Sequence, residues 1–226
     1  MPKFTSVEEA AKLIKDGDTI MIGGFLGCGS PDKLCKALAE TGVKDLTLIC
    51  NDGGFPEGSG PTGNNYGAAR LIANHQIKKI VATHVGINPN IAKQNFDEKT
   101  LEVCLIPQGS FAEMIRAGGA GLGAVLTPTG VGTLVEESPY CLGKETINGR
   151  DYLKMAPLHA DFALLEAYKV DKMGNCWYKG TTQTFNIVMG TAADTVIVEA
   201  ENVVEVGDIA PEDVRTFGML VDYVVE

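Results

Sequence analysis

Four glycines fall within seven residues at Gly23-Gly24-Phe25-Leu26-Gly27-Cys28-Gly29, directly after the apolar run Thr19-Ile20-Met21-Ile22. Such a run reads as a strand buried on both faces. Ser30-Pro31 follows, ahead of Leu34, Ala37 and Leu38 at helical spacing, so Ser30 is expected as the N-cap and Pro31 as the first helical residue. Strand, glycine loop and helix in that order commit the chain to an α/β unit. Upstream, Val7, Ala10, Ala11 and Ile14 mark one helical face, Ser6 and Glu9 are placed as a capping box, and Asp16-Gly17-Asp18 ends the helix.

The same grammar continues. Strands are expected at Leu46–Cys50, Ile80–Thr83, Val103–Ile106, Phe162–Leu165 and Thr195–Glu199. Pro107-Gln108-Gly109 leads to Ser110, expected as a second N-cap with Glu113 its partner and Phe111, Met114 and Ile115 on one face. Residues 53–67 form the longest loop, and residues 136–156 contain a hairpin around Asn148-Gly149. No linker or repeat divides the chain. The expectation is one α/β domain over residues 1–226, a mostly parallel sheet flanked by helices.

Composition narrows the function classes. Lys and Arg number 19 against 29 Asp and Glu, a net charge of −10, and no basic run occurs, which excludes nucleic acid and an anionic membrane as expected partners. No apolar stretch approaches the ~20 residues of a membrane span, and Met1–Ser6 leads into a helix pattern rather than a signal peptide. The six cysteines include no Cys-x-x-Cys, and no glycosylation sequon is present, so reduced thiols and a cytoplasmic location are expected. His75, His84 and His159 lack metal-ligand spacing, and no metal site is expected.

Chemistry is carried by the glycine clusters. Backbone N–H groups of Gly23–Gly29 at a helix start suit a phosphate, a carboxylate or a developing oxyanion, while a tight turn alone also explains part of the pattern. The spacing is neither Gly-x-Gly-x-x-Gly nor a P-loop. A second cluster, Gly118-Gly119-Ala120-Gly121-Leu122-Gly123, signals close approach by a ligand or by another chain segment. Cys28 reads either as a thiol of lowered pKa or, more simply, as a small filler. No Gly-x-Ser-x-Gly elbow occurs, and no carboxylate stands in a diagnostic nucleophile context.

The motifs taken together resemble a known family. Asp16-Gly17, Ile20–Phe25, Gly29 and Pro31 are followed in order by Asn51, Pro107-Gln108-Gly109, Ile115–Gly121 and Thr127–Thr133. Ala160–Leu164 and Val221–Val225 complete the match. This pattern is similar to the alpha subunits of family I coenzyme A-transferases, of the acetate/butyrate–acetoacetate kind, nearly end to end. The resemblance implies transfer of coenzyme A, a substrate rather than a resident cofactor, between a short-chain acyl-CoA and a free carboxylate. It also implies ping-pong chemistry through a glutamyl-CoA thioester, with the glutamate in a Glu-Asn-Gly context on a beta-subunit partner and an α2β2 assembly.

Here Glu201-Asn202 is followed by Val203, so the nucleophile is expected on the partner. By the same resemblance Gln108 donates its amide to the oxyanion, Asn51 faces the same cleft, and Gly23, Gly24, Phe25, Leu26, Gly27, Cys28 and Gly29 line the CoA and acyl pocket. Asp52 departs from the second Asn of some members, and Phe217-Gly218 from a Pro-Gly pair. Competing readings are a non-catalytic acyl-CoA or sugar-phosphate sensor of related fold, a thioesterase, and a succinyl-CoA or 3-oxoadipate transferase subunit.

Overall fold

The computed structural model describes residues 1–226. In chain order, β1 (Lys3–Phe4) and α1 (Val7–Ala11) precede β2 (Thr19–Ile22), α2 (Asp32–Thr41), β3 (Leu46–Cys50), α3 (Ala69–Ala73) and β4 (Ile77–Ala82). Then come α4 (Pro89–Ala92) with a π-turn over Lys93–Glu98, β5 (Glu102–Leu105), α5 (Gln108–Gly119) and β6 (Val125–Thr127). The hairpin β7 (Cys141–Ile147) and β8 (Arg150–Met155) leads to β9 (Ala160–Asp171), β10 (Cys176–Trp177), α6 (Asn186–Met189), β11 (Ala193–Val204) and β12 (Tyr223–Val225).

The main sheet runs β1-β12-β11-β9-β2-β3-β4-β5 and is parallel throughout, with β10 alone added antiparallel to β9. Its faces are both covered, by core clusters of 26 and 23 buried residues, which is why β2 to β4 read as continuous apolar runs. The chain builds outward from β2 to β5 and then returns to place β9 on the other side of β2. That reversal puts the topological switch point at the carboxyl ends of β2 and β9, where the glycine loop lies. Beyond the register pair Ile22–Leu164, β9 and β11 continue as twelve-residue strands past the end of β2.

Several helix starts differ from expectation. α5 begins at Gln108 immediately after Pro107, whose φ of −54° and extended ψ set the entry, so Ser110 lies buried inside the first turn rather than capping it. Its hydroxyl donates to Thr127 Oγ1 at 3.4 Å, and Glu113 pairs with Arg116 instead. Gln108 therefore stands on a helix end, not on a preceding loop. α2 begins at Asp32 with Pro31 as its cap residue, and Ser30 is not the cap. A carboxylate from a distant strand takes that role, Glu199 Oε2 accepting from Leu34 N at 2.9 Å. Ser6 does cap α1 by accepting from Glu9 N, but the Glu9 side chain turns to Lys12, so only half of the capping box forms.

The hairpin turns at Asn148-Gly149 with both residues at positive φ, a type I′ turn that matches strand twist. β6 joins it in a separate three-stranded antiparallel sheet. The second glycine cluster resolves in favour of close packing at two positions. A Cβ on Gly118 would fall 1.9 Å from Leu158 O and one on Gly119 2.6 Å from Thr191 O, whereas Gly121 and Gly123 face open space.

Candidate active site

Four consecutive strands end at one edge, and one hydrogen-bond network crosses all of them. After β5, Gln108 Nε2 donates to Asn51 Oδ1 at 2.7 Å. Asn51 follows β3 and is 1% exposed; its Nδ2 donates to Asp52 Oδ2 at 2.9 Å. Asp52 Oδ2 also accepts from Leu26 N of the glycine loop at 2.9 Å, and Oδ1 from Gly54 N at 3.0 Å. After β4, Thr83 Oγ1 lies 3.0 Å from Asn51 Oδ1 and 2.9 Å from Asn51 O, within reach of His84 Nδ1 at 3.2 Å. Parallel strands aligned at their carboxyl ends place these side chains side by side, at the position where open α/β sheets hold ligands.

The head of α5 is fixed from behind. Phe111 packs edge-on to Phe185 at 5.4 Å, and Leu158 N donates to Met114 O. Gln108 itself is exposed, so its second amide N–H is available beyond the bond to Asn51. A preorganised donor at a helix N-terminus, one N–H anchored and one free, suits a carbonyl oxygen that gains negative charge.

The glycine loop is shaped by its neighbours. Asn186, fully buried before β11, donates Nδ2 to Gly29 O and Thr182 O at 2.9 Å each and accepts from Glu166 N at 3.2 Å. Gly23 and Gly29 have no room for a side chain because Asn186 and Thr182 O press against them. Asp52 holds Leu26 at φ 48°, leaving its side chain 38% exposed beside Phe25 and the exposed Cys28. Gly27 meets the rings of Phe55 and Tyr66, which form an isolated bridge in loop 53–67. Arg70 and Gly67 N both bind Asp32, fixing the far end of that loop to α2.

Carboxylates gather elsewhere. Glu166 and Glu199 are register partners on β9 and β11, with Glu201 two residues on. Burial pushes Glu199 up to about 7 against the opposing bond from Leu34 N, and burial together with the neighbouring Glu201 raises Glu166 well above the carboxylate range. From β5 to β9 is four strand spacings, roughly 19 Å, so none of the three faces Gln108. Asp52 is the carboxylate in the Gln108 network, and N–H donors already occupy both of its oxygens. The cavity bounded by Gly23, Gly24, Ser30, Asn51 and Asp52 measures about 10 Å³, room for one water. A polar hollow of about 370 Å³ between Pro56, Glu57, His75, Lys93, Gln94 and Glu98 touches neither Gln108 nor Asn51. No group of three or more His, Cys, Asp or Glu side chains is placed to hold a metal ion.

The sequence motifs thus meet in space: Gln108, Asn51 and the glycine loop form one connected edge. Thr83, Asn186 and the tethering by Asp52 were missed. Thr83 had a weak signal, a polar residue at the end of the expected strand Ile80–Thr83; Asn186, in Thr-Phe-Asn-Ile, had none.

Residues 4–226 match the family model described as coenzyme A transferase. The chain belongs to the coenzyme A transferase family. It is 47% identical over 224 residues to the acetoacetyl-CoA:acetate/butyrate CoA transferase alpha subunit of Clostridium acetobutylicum, covering 99% of this chain and 97% of that protein. To the acetate CoA-transferase subunit alpha of Escherichia coli K12 it is 42% identical, covering 99% and 96%. The fold matches an acyl-CoA transferase of E. coli O157:H7, solved as a thioester complex with CoA, at TM-score 0.85 and 21% identity. That match covers 99% of this CoA-transferase chain and 46% of the other, so the chain spans about half the length of that structure. In this transferase chain Gln108, Asn51 and the glycine loop share one hydrogen-bonded edge of the sheet.

Proposed function

We propose that this chain is the alpha half of a CoA-transferase that moves coenzyme A between acetoacetyl-CoA or a similar short-chain acyl-CoA and acetate or butyrate. A glutamate of a beta partner attacks the thioester carbonyl and expels CoA thiolate, leaving an acyl-glutamyl anhydride. The thiolate then attacks the glutamyl carbonyl, releasing the first acid and forming a glutamyl-CoA thioester, and the acceptor carboxylate runs both steps in reverse. Each step passes through a tetrahedral oxyanion, and Gln108 is the donor this chain offers to it. The glycine loop, with Phe25, Leu26 and Cys28, lines the approach of the thioester, and Phe55 and Tyr66 bound the acyl side.

The observation that carries this reading is Gln108: anchored through Nε2 to Asn51, exposed, and with no free carboxylate near it. A thioesterase working alone needs a carboxylate base that reaches water there, and Asp52 is buried with both oxygens accepting from N–H donors. The test is CoA exchange between acetoacetyl-CoA and acetate, with the chain alone and then with a beta subunit carrying Glu-Asn-Gly. Exchange is expected only in the mixture, with a borohydride-sensitive thioester on the beta chain, and Gln108→Ala should cost about 10²–10³ in kcat. Turnover by this chain alone, or a Gln108→Ala enzyme of unchanged rate, refutes the assignment. Six unpaired cysteines support placing the enzyme among reduced thiols in the cytoplasm.

A further inference from the structure

Asp52 lies one residue from Asn51 and two hydrogen bonds from Gln108, and its surroundings are one-sided. Each oxygen faces donors only: Leu26 N and Asn51 Nδ2 on Oδ2, Gly54 N on Oδ1. No Lys or Arg pairs with it. Asp52 is 9% exposed, and Asn51 1%. A carboxylate accepts and never donates, so the group of Asn51 that faces Asp52 must be the NH2. Its carbonyl oxygen is then turned the other way, toward Gln108 and Thr83.

That orientation reaches the surface. With Asn51 Oδ1 as the acceptor, Gln108 has to present Nε2 inward, and the second hydrogen on that same nitrogen is the one left for a ligand. Were Asn51 reversed, its NH2 would meet Gln108 Nε2 donor to donor, and the Gln108 amide would turn its oxygen inward instead. A charged acceptor also polarises each bond that follows it in the series.

We propose that Asp52 is a positioning residue that sets which end of the Gln108 amide is fixed and which faces the reacting carbonyl, while tying the glycine loop to the same network through Leu26. This rests on the reading of Gln108 as the oxyanion donor. Asp52 itself touches no substrate. Asn at this position keeps the volume but forces an NH2 against a backbone N–H or against Asn51, unless Asn51 turns over. Thr83 cannot enforce the orientation by itself, since its hydroxyl also finds an acceptor in Asn51 O.

The experiment uses the enzyme assembled with its beta partner and three variants: Asp52→Asn, Thr83→Val and Gln108→Ala. Asp52→Asn should lower kcat toward the ~10²–10³ loss of a missing oxyanion donor, with KM for acyl-CoA little changed. The same change in a Gln108→Ala background should cost nothing further, because the group it positions is gone. Thr83→Val should cost at most about tenfold, the value of one neutral hydrogen bond. An Asp52→Asn enzyme of full rate, a loss that multiplies with that of Gln108→Ala, or a Thr83→Val loss equal to that of Asp52→Asn overturns the proposal.

A second measurement stands apart from activity. With the alpha chain alone labelled with side-chain 15N-glutamine, the Gln108 amide is identified among four glutamines by its disappearance in Gln108→Ala. Asp52→Asn should shift it, and an unmoved resonance refutes the positioning role. A shifted resonance in an enzyme indifferent to Gln108→Ala would instead sink the oxyanion reading and leave the positioning intact.

Discussion

Gly23→Ala adds one methyl group and should behave like the loss of a buried polar residue. Gly23 does not sit at positive φ, so backbone strain contributes nothing and the effect is steric. The added Cβ would lie 1.9 Å from Asn186 Oδ1 and 2.8 Å from its Cγ, where ordinary contact begins near 3.4 Å. Asn186 has no exposed surface to move into. Displacing it breaks its bonds to Gly29 O, Thr182 O and Glu166 N. At about 1 kcal/mol for each bond, plus about 1 kcal/mol for a buried group left without a partner, the cost is roughly 4 kcal/mol. For a chain of this size that is roughly a 10 °C fall in Tm.

The partner variant makes the reasoning refutable. Asn186→Ala removes the same three bonds and should cost about as much. It also clears the obstruction, since the nearest atom of residue 186 to the added Cβ is then Cα, at 3.5 Å. The double variant should therefore be no less stable than Asn186→Ala alone, a coupling of about 4 kcal/mol between the two changes. Urea unfolding of the four proteins measures it. Additive losses, or a Gly23→Ala protein within about 1 kcal/mol of the parent, show that the glycine is not required by Asn186.

Stability should also fall as pH rises from about 5 to 8. Glu199 has its folded pKa raised from 4.5 to about 7, so the unfolded chain releases its proton first; the folded state is favoured below 4.5, and that advantage is lost as pH climbs through both values. The window is worth roughly 3 kcal/mol, and Glu199→Gln, which still accepts from Leu34 N, should flatten the slope in urea melts at pH 5 and pH 8. A steeper slope in the variant would contradict this. Cys28 is the exposed thiol among six and should be alkylated first by a maleimide, with CoA slowing the reaction if the glycine loop lines its path. Mass mapping that finds Cys35 or Cys50 labelled before Cys28 would contradict the loop geometry.

What the sequence revealed depended on how local the cause was. β2, β3 and the Asn148-Gly149 turn are set by apolar runs and turn chemistry within a few residues, and their positions were legible. Helix starts were not, because the groups that satisfy them came from elsewhere. Glu199, 165 residues away from Leu34, caps α2, and α5 begins at Gln108, two residues before the serine that resembles a cap. The same holds at the candidate site. Gln108 and Asn51 stood out through motif resemblance, yet 57 residues separate them and only the strand order brings them together. Asn186 clamps a loop 157 residues away, and nothing in its own neighbourhood announces that.

Sheet order also accounts for the division of labour in the proposed enzyme. Gln108 follows β5, the last strand of the main sheet, so no further strand of that sheet lies beyond it. The buried glutamates Glu166 and Glu199 sit on β9 and β11, on the far side of β2, where burial keeps them protonated more readily and therefore poor as nucleophiles near neutral pH. On the proposed mechanism, an oxyanion donor with no free carboxylate of its own chain beside it is half of a reaction. By that same mechanism the partner's carboxylate meets the free N–H of Gln108 from outside this chain, at the carboxyl ends of the strands where that amide is exposed.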